Sequence, residues 1–499
     1  MPRVVARSAA DRAQTEVLLA PRRDLLIERS VGDGTFEAAS GPLTRYSRRV
    51  EVADGVVTQT VDFKLAVPYF GWLCVWPFKR AIVRPPRQVP PWWAPPAALD
   101  ARAANVLGSL AAMGVVLGYL NTLFTQTIAF AGEEFEASSG AQGLAGGVVR
   151  LGGFLALAVV GLADRRGRRR VVVWAALAGC GLAVTGALAP SLPWLTASQT
   201  VARGFATALL LLVGILAAEE MPARSRAYAV SMLAMASGLG AGFAVMALKL
   251  ADLGVSGWRL VYVIPLLGIP LVTSIRRRLP ESRRFLAPHR DVDLAGHGRR
   301  FWLLAVSGLL TNLFIAPQSQ FFNRYLRSEH DFSAGRISLL TLVAGTPGVI
   351  GIVVGGRLAD VRGRRIVAAV ALTGGTLFTV VFYFADGVGL WLWPMVGNIV
   401  SAASIPALGV YGPELFPTSL RGRANGLVAV CSLGGSAAGL ALAGTLGDSF
   451  GRLGPAMALL ATGPVLVALL VLVAYPETAG KELEDLNPED VRPPPDPPD

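Results

Sequence analysis

Long apolar runs separated by short polar segments dominate the chain from residue 104 onward. Twelve of them approach or exceed the roughly twenty residues with which a helix crosses the hydrocarbon core of a bilayer. The pattern therefore predicts an all-α membrane protein with twelve transmembrane helices. The predicted runs are 104–131, 141–163, 171–189, 194–218, 229–250, 259–275, 301–322, 336–358, 366–385, 389–412, 424–446 and 454–474.

The first 103 residues contain no comparable run. RYSRRVEV and VVTQTVDFKLAV flank the tight turn ADG, and their β-branched residues and partial alternation predict two strands. PYFGWLCVWPFKRAIV mixes aromatic residues with Lys79 and Arg80, a composition that favours a membrane surface. PPRQVPPWWAPP predicts a stiff linker. We therefore expect a small N-terminal cytoplasmic extension, α+β or irregular, that lies against the membrane.

Composition excludes the soluble classes. The 499 residues are 53% hydrophobic and 16% charged, with a mean hydropathy of +0.51, unlike a soluble protein of this length. The three cysteines and three histidines lack disulfide or metal-ligand spacing, so we expect no metal and no cofactor. Neither a P-loop nor a G-x-G-x-x-G between strand and helix occurs, which leaves ATP-driven work unsupported. We predict no catalytic residues, no enzyme activity and no nucleic-acid partner.

The net charge of +12 is unevenly distributed among the connections between runs. RRGRRR, PARSRA, RRRLPESRR, DVRGRR and SLRGR fall on alternate connections, whereas most of the others carry little positive charge. The connection at 323–336, with three arginines, is the exception. Because Arg-rich loops stay in the cytoplasm, we predict a multi-pass protein of the plasma (inner) membrane with both termini cytoplasmic.

An internal repeat relates the two halves of the apolar region. Asp164 and Asp360 are 196 positions apart (360 − 164), and Glu219 and Glu414 are 195 apart (414 − 219). Such offsets predict two six-helix pseudo-repeats, the arrangement of transporters that bind solute between their halves. The predicted division is 1–103 for the extension and linker, 104–285 for the first bundle, 286–300 for a central cytoplasmic loop, 301–475 for the second bundle, and 476–499 for a cytoplasmic tail.

The repeated segments carry a resemblance to a known family. GLADRRGRRR (161–170) and GRLADVRGRR (356–365) resemble the cytoplasmic loop motif of the major facilitator superfamily. EEMPARSRA, PESRRFL, PELFPTSLRGRANG and PETAGKELEDL resemble motifs of its sugar-porter and metabolite-symporter branch. The resemblance covers roughly 104–486 and implies the major facilitator fold and secondary active transport by alternating access.

The motif residues are predicted to form a conformational gate. An acid at a helix N-terminus is stabilising by about 0.3–1 kcal/mol when exposed, and we expect Asp164 and Asp360 to face helix N-termini or arginines. Ion pairs of this size suit a switch whose states differ by a few kcal/mol. The alternative is that the arginines only fix the orientation in the membrane. The predicted gate residues are Asp164, Arg168, Glu219, Arg226, Asp360, Arg364, Glu414 and Arg421.

Polar residues within the runs are candidates for solute binding, because they are costly in a membrane. Arg150, near the middle of the second run, is predicted to face a central cavity and to suit an anionic solute; the alternative is a snorkelling or internally paired arginine. Most of the uncharged candidates can equally serve helix contacts. The candidates are Asn121, Gln126, Arg150, Arg203, Asn312, Gln318, Gln320 and Asn398.

Departures from the branch pattern limit the substrate prediction. GYLNTLF places Leu120 and Asn121 where sugar porters carry an acid, and TNLFIAPQ replaces their glutamine-rich pattern. Both changes argue against a sugar and against a proton carried by the first helix. We therefore predict a transporter of a small organic solute, with an anionic metabolite as one option, acting as one copy among membrane lipids with a proton or cation as a possible coupling ion.

The direction and alternatives stay open. The drug/proton antiporter pattern is missing from ASGLGAGF in the fifth run, which favours uptake over a drug or metabolite efflux antiporter. A transporter-like receptor or regulator is a second alternative. A third is a bifunctional protein, because the first hundred residues resemble the C-terminal part of a polyketide-cyclase-like ligand-binding domain in their hairpin and aromatic stretch.

Overall fold

Twelve membrane-spanning helices make up most of the molecule. The computed structural model describes residues 2–9, 12–53, 55–85, 90–91, 93–137, 139–286, 294–332 and 334–490. Within these residues twelve helices are long and apolar enough to cross a membrane, so the predicted fold class is confirmed. Spans 1 to 12 are Ala101–Ile128, Ala145–Arg166, Arg168–Leu188, Leu192–Glu220, Ala223–Ala247, Trp258–Arg278, Gly298–Ser319, Leu339–Arg362, Arg364–Phe382, Gly389–Glu414, Arg421–Gly447 and Leu453–Ala474.

Several spans are longer or more broken than the apolar runs indicate. The helices of spans 1 and 7 extend to Glu134 and Ser328. Span 2 is interrupted by a 3₁₀ turn, Gly152–Phe154, where Gly152 lies against the backbone of span 4. Other spans contain similar joints between shorter helices, and glycine or proline lies at several of them. These shorter pieces include Trp258–Val263, Gly268–Arg278, Ala334–Gly345, Gly348–Arg362, Gly389–Ala402, Ser404–Gly409, Tyr411–Glu414, Leu453–Leu460 and Thr462–Ala474.

The two six-helix halves repeat the same packing. Span 1 packs along span 5, and span 7 packs along span 11. Gly240 lies against the backbone of span 1, and Gly435 and Gly439 lie against the backbone of span 7. Such small residues let membrane helices approach closely. Between the halves, span 2 contacts span 11 and span 5 contacts span 8; we call these contacts the first seam and the second seam.

An antiparallel sheet forms the N-terminal extension, which is therefore α+β. Its order is β1-β5-β4-β3-β2, with β1 Arg3–Ala9, β2 Ile27–Gly32, β3 Thr35–Ser40, β4 Leu43–Ala53 and β5 Val56–Leu65. The helices are α1 (Arg12–Leu19) and α2 (Gly71–Ile82). The predicted hairpin is β4–β5. The other three strands were not predicted: β2 and β3 are only six residues long, and β1 and β2 are largely exposed.

The predicted division into segments stays a prediction. Span 7 begins at Gly298, inside the predicted central loop, and residues 287–293 of that loop lie outside the described residues. The last nine residues of the tail also lie outside them. The described part of the tail forms two short helical segments, Leu483–Leu486 and Pro488–Asp490.

Candidate functional site

Each of the two repeated loops reverses direction at a glycine that other residues cannot easily replace. Gly167 and Gly363 have φ values of 102° and 106°, where side chains are strained. A Cβ at these positions would lie 2.7 Å from Glu281 and 2.8 Å from Glu477. Each turn therefore needs glycine for its conformation and for its space.

The two glutamates bind the helix starts that follow these turns. Glu281 accepts the backbone N–H of Arg169 at 2.9 Å, and Glu477 accepts that of Arg364 at 3.0 Å. Burial raises the pKa of Glu477, but hydrogen bonds from backbone N–H groups outweigh it and hold that pKa below its usual value. These roles were missed from the sequence, although PES and PET lie at the repeat offset.

The first ion cluster lies at the first seam. Arg168 bonds Asp164 in its own half and lies 3.6 Å from Glu219. Arg421, from the other half, contacts Glu219 at 2.6 Å. Asp164 accepts the backbone N–H of Arg423 at 3.0 Å, at the start of span 11. An acid of one half therefore binds the helix N-terminus of the other.

The second ion cluster repeats this arrangement with the halves exchanged. Arg364 contacts Asp360 at 3.3 Å and bonds Glu414. Arg226, from the first half, contacts Glu414 at 3.3 Å. Asp360 accepts the backbone N–H groups of the residues after Arg226, Ala227 at 3.3 Å and Tyr228 at 2.9 Å.

The eight predicted gate residues are thus brought together in two groups of four. Their side chains are at most 8% exposed, and each group joins the two halves of the molecule. We call this end of the bundle the arginine-rich end. Because an unpaired buried charge is strongly destabilising, the two clusters stabilise the contact between the halves at this end.

The C-terminal tail also packs on the clusters, which the sequence did not predict. Asp490 accepts hydrogen bonds from the backbone N–H and hydroxyl of Thr418, and lies 3.7 Å from Arg421. Glu482 contacts Arg226 at 3.2 Å. The tail therefore touches residues of both halves at the arginine-rich end.

A cavity of about 440 Å³ lies between the halves. Its walls come from spans 1, 4, 5, 10 and 11 and are mainly apolar, with Ser237 and Asn425 as polar lining residues. Asn425 was missed, although an amide within RGRANG at the start of an apolar helix was a signal. None of the eight predicted solute-binding residues lines this cavity.

Two of the predicted residues lie farther along the same helix faces. Arg203 precedes the lining residue Leu210 by two helical turns, and Asn121 follows Gly114 by two turns, so each pair shares a face. Arg203 donates to the backbone carbonyl of Asn121. Both residues lie farther from the arginine-rich end than the cavity does.

Arg150 lies on the helix Ser139–Leu151, which packs against span 4, the span that carries Arg203. The side chain of Arg150 is exposed. Every Asp and Glu within the twelve spans lies in the last three residues before the arginine-rich end. The nearest such acids along the same helices, Asp164 and Glu219, are roughly 21–24 Å away from the two arginines at 1.5 Å per residue.

The remaining predicted residues are spread over other helices. Asn312 donates to the carbonyl of Gly308 in its own helix, and Asn398 donates to that of Ala344 in a neighbouring one. Gln126 and Gln318 are half-buried, and the side chain of Gln320 lies outside the described part of the structure. In the described residues, no group of His, Cys, Asp and Glu is arranged to hold a metal ion.

Comparisons with known proteins agree with this geometry. The sequence profile of the Major Facilitator Superfamily matches residues 109–323 and 301–497. The chain is similar to the proton:xylose symporter XylE bound to 6-bromo-6-deoxy-D-glucose, with a TM-score of 0.65 and 18% identity over 77% of this chain and 98% of that one. No curated protein matches the chain.

Two further solved structures are similar. One is the human organic anion transporter, with a TM-score of 0.61 and 14% identity over 74% of this chain and 99% of that one. The other is the E. coli fucose:proton symporter FucP, with a TM-score of 0.61 and 14% identity over 74% of this chain and 98% of that one. At such identities the likeness concerns the fold alone.

Proposed function

We propose a specific transport activity from the premise that this chain belongs to the major facilitator superfamily. Membership makes it a multi-pass membrane protein and a transporter of the secondary class. Our proposal is that it carries a small organic anion by alternating access, with the eight gate residues closing one end. Solute would enter between the halves from the other end while the clusters are intact, and leave after they separate.

The pairing of Arg150 with Arg203 supports an anion. Each arginine at the centre of a membrane costs about 2.5–3.5 kcal/mol on insertion scales, and their mutual repulsion adds to this cost. A carboxylate or phosphate held between the two guanidinium groups would offset both terms.

The orientation and direction are also part of the proposal. Because the arginine-rich connections favour the cytoplasm, we place the clusters, both termini and the N-terminal extension on the cytoplasmic side of the plasma (inner) membrane. Uptake is the proposed direction. The similar structures include both sugar symporters and an organic anion transporter; the two arginines favour the anion.

Purified protein in liposomes can test the anion. We expect some members of a panel of small organic anions to raise the melting temperature, and at least one to be taken up. Comparing uptake with and without a pH gradient shows whether transport is coupled to protons. Arg150→Gln and Arg203→Gln should each weaken binding by roughly tenfold or more. Arg166→Gln, which changes an exposed arginine of the same span as Arg150, is the matched control. Unchanged anion affinity in both variants, or a response to neutral solutes only, would contradict the proposal.

A further inference from the structure

The helix α2 lies beside the membrane-spanning part of the first half. Tyr69, just before α2, donates to Ser274, one turn before the end of span 6, at 2.9 Å. Pro68 lies so close to Gly108 of span 1 that a Cβ there would be 2.7 Å from the proline ring. The start of α2 is therefore held near the level at which these spans leave the bilayer.

One face of α2 is exposed in the described part of the chain. Phe78 is buried against the sheet, with its ring 4.9 Å from that of Phe63. On the other side Trp72, Leu73 and Trp76 are 72%, 53% and 67% exposed. Tryptophan and leucine on one face of a short helix beside membrane spans are typical of interfacial helices.

A cavity of about 570 Å³ lies between α2 and the linker that leads to span 1. Trp76 and Trp93 line it together with two exposed arginines, Arg80 and Arg84. Asp24 is the lining acid, and its carboxylate is bound by Arg22 at 2.9 and 3.1 Å, so its charge is compensated. The lining therefore suits an anionic head attached to an apolar body.

The linker walls of this cavity also bridge the second seam. The carbonyl of Pro91 accepts from Arg357 of span 8 at 2.8 Å, and that of Trp93 accepts from the Tyr228 hydroxyl of span 5 at 3.1 Å. The carbonyls of Pro90 and Ala94 bind Arg357 as well. The backbone of the same Tyr228 donates to Asp360 in the second cluster. Separation of spans 5 and 8 requires the linker to release one of them.

We propose that an acidic phospholipid of the surrounding membrane binds between α2 and the linker and favours the closed second seam. Its phosphate contacts Arg80 and Arg84, and its apolar part covers Trp76 and Trp93. A ligand that fixes the linker binds better to the state in which the linker joins both halves, so it shifts the population toward that state. The inference rests on the proposed alternating-access function for its consequence, but not for the binding itself.

Distance measurements between spin labels at the second seam test this proposal. Labels at Arg224 of span 5 and Val361 of span 8, both exposed, are placed in a full-length chain with its three cysteines replaced. The protein is reconstituted in nanodiscs of phosphatidylcholine alone or in an equimolar mixture with phosphatidylglycerol. We expect phosphatidylglycerol to raise the ratio of short to long distances by roughly fivefold or more, the lower range of allosteric coupling.

Three variants test which residues cause the shift produced by phosphatidylglycerol. The double variant Arg80→Gln/Arg84→Gln should abolish the shift, whereas Arg166→Gln/Arg170→Gln, with the same loss of charge at the end of span 2 and the start of span 3, should retain it. Tyr228→Phe should keep phosphatidylglycerol binding, measured by native mass spectrometry, and weaken the shift. A shift of equal size in the double variant would overturn the proposal, as would no response to phosphatidylglycerol.

A separate experiment distinguishes a membrane lipid from a soluble anion as the ligand. Soluble glycerol phosphate added to phosphatidylcholine discs should have no effect, and an equal shift there would replace the lipid by a soluble anion. None of these readouts uses a transported solute. A negative result here would leave the proposed transport intact, and a failed uptake assay would leave the lipid site intact.

Discussion

The two ion clusters have the same charged residues but unequal support. At the first seam, Asp164 accepts one backbone N–H from the other half and its side chain is 8% exposed. At the second seam, Asp360 accepts two, and its side chain is 0% exposed. The repeat has therefore preserved the ion pairs while the number of contacts between the halves has diverged.

The surroundings of the seams differ more than the clusters do. The linker covers the second seam and binds both spans 5 and 8. The first seam instead borders a groove of about 810 Å³, lined by Asp164, Arg165 and Arg423 among others. The N-terminal extension therefore contacts the proposed gate at the second seam through its linker.

The largest effects should come from the central glutamates, because each lies between two buried arginines. Removing one partner of a buried ion pair costs about 3–5 kcal/mol, so Glu219→Gln or Glu414→Gln should raise the open-to-closed ratio by more than about a hundredfold. If the halves move as rigid bodies, labels at the first seam (Arg165 and Arg423) and at the second seam should both separate in either variant.

Glu220 is the matched control for this prediction. Glu220 is the last residue of span 4, and it binds Arg102 at 2.9 Å within its own half. Glu220→Gln should therefore leave both distances unchanged. Opening of only the nearer seam in each variant would show that the two clusters act independently of each other.

An intermediate effect should separate the two aspartates. Asp360→Asn weakens acceptance from two backbone N–H groups, whereas Asp164→Asn affects one. Since a hydrogen bond to a charged group is worth about 1.5–3 kcal/mol, we expect the Asp360 variant to open roughly tenfold more than the Asp164 variant. The measurement is labelling of Leu210→Cys, in the cavity wall, by a membrane-impermeant maleimide from each side. Equal labelling in both variants would mean that the additional bond at the second seam has no effect on closure.

A smaller effect is expected at the linker. Arg357→Gln removes the guanidinium that binds the carbonyls of Pro90, Pro91 and Ala94. Protease cleavage of the linker should accelerate. The open-to-closed ratio reported by the second-seam labels should rise by a factor of about ten or less. Arg362→Gln, an exposed arginine at the end of the same span, should change neither. Equal effects at both seams would mean that the linker acts on the whole bundle.

The sequence predicted what depends on local pattern and repetition. Apolar length marked all twelve spans, and the repeat offset singled out both sets of gate residues that the structure brings together. The contacts of residues 90–97 with spans 5 and 8 could not be predicted, because carbonyl groups of a proline-rich segment carry no sequence signal. The role of Arg357 could not be predicted either, because within GRLADVRGRR it is indistinguishable from the arginines that orient the protein in the membrane.

The candidate solute site was predictable only in part. Arg203 and Asn121 were chosen because polar groups are costly in a membrane, and they do contact each other. The cavity itself was not predicted, since its lining is mostly Gly, Leu and Val, whose side chains mark a packed interface as readily as a cavity. Shape depends on how the two halves meet, and no local pattern encodes that.

The smallest expected effect concerns the turns, where the two repeats are most alike. The pKa of Glu477 is lowered, so its ionised form stabilises the fold above the unfolded-state pKa of about 4.3. That stabilisation is lost as the pH falls through the lowered pKa. Because the carboxylate is partly exposed, solvent screening limits it to less than about 1 kcal/mol.

Glu477→Gln should therefore lower the melting temperature slightly at neutral pH and flatten its decline on acidification below about pH 4. Melting curves of detergent-solubilised protein between neutral pH and the acid limit provide the measurement. Glu51→Gln, at an exposed carboxylate of β4, should follow the parent curve. If the Glu477 variant also ran parallel to the parent at every pH, the backbone N–H groups at the second turn would be equally well satisfied by water. The second gate would then owe its greater strength to Asp360 and the linker alone.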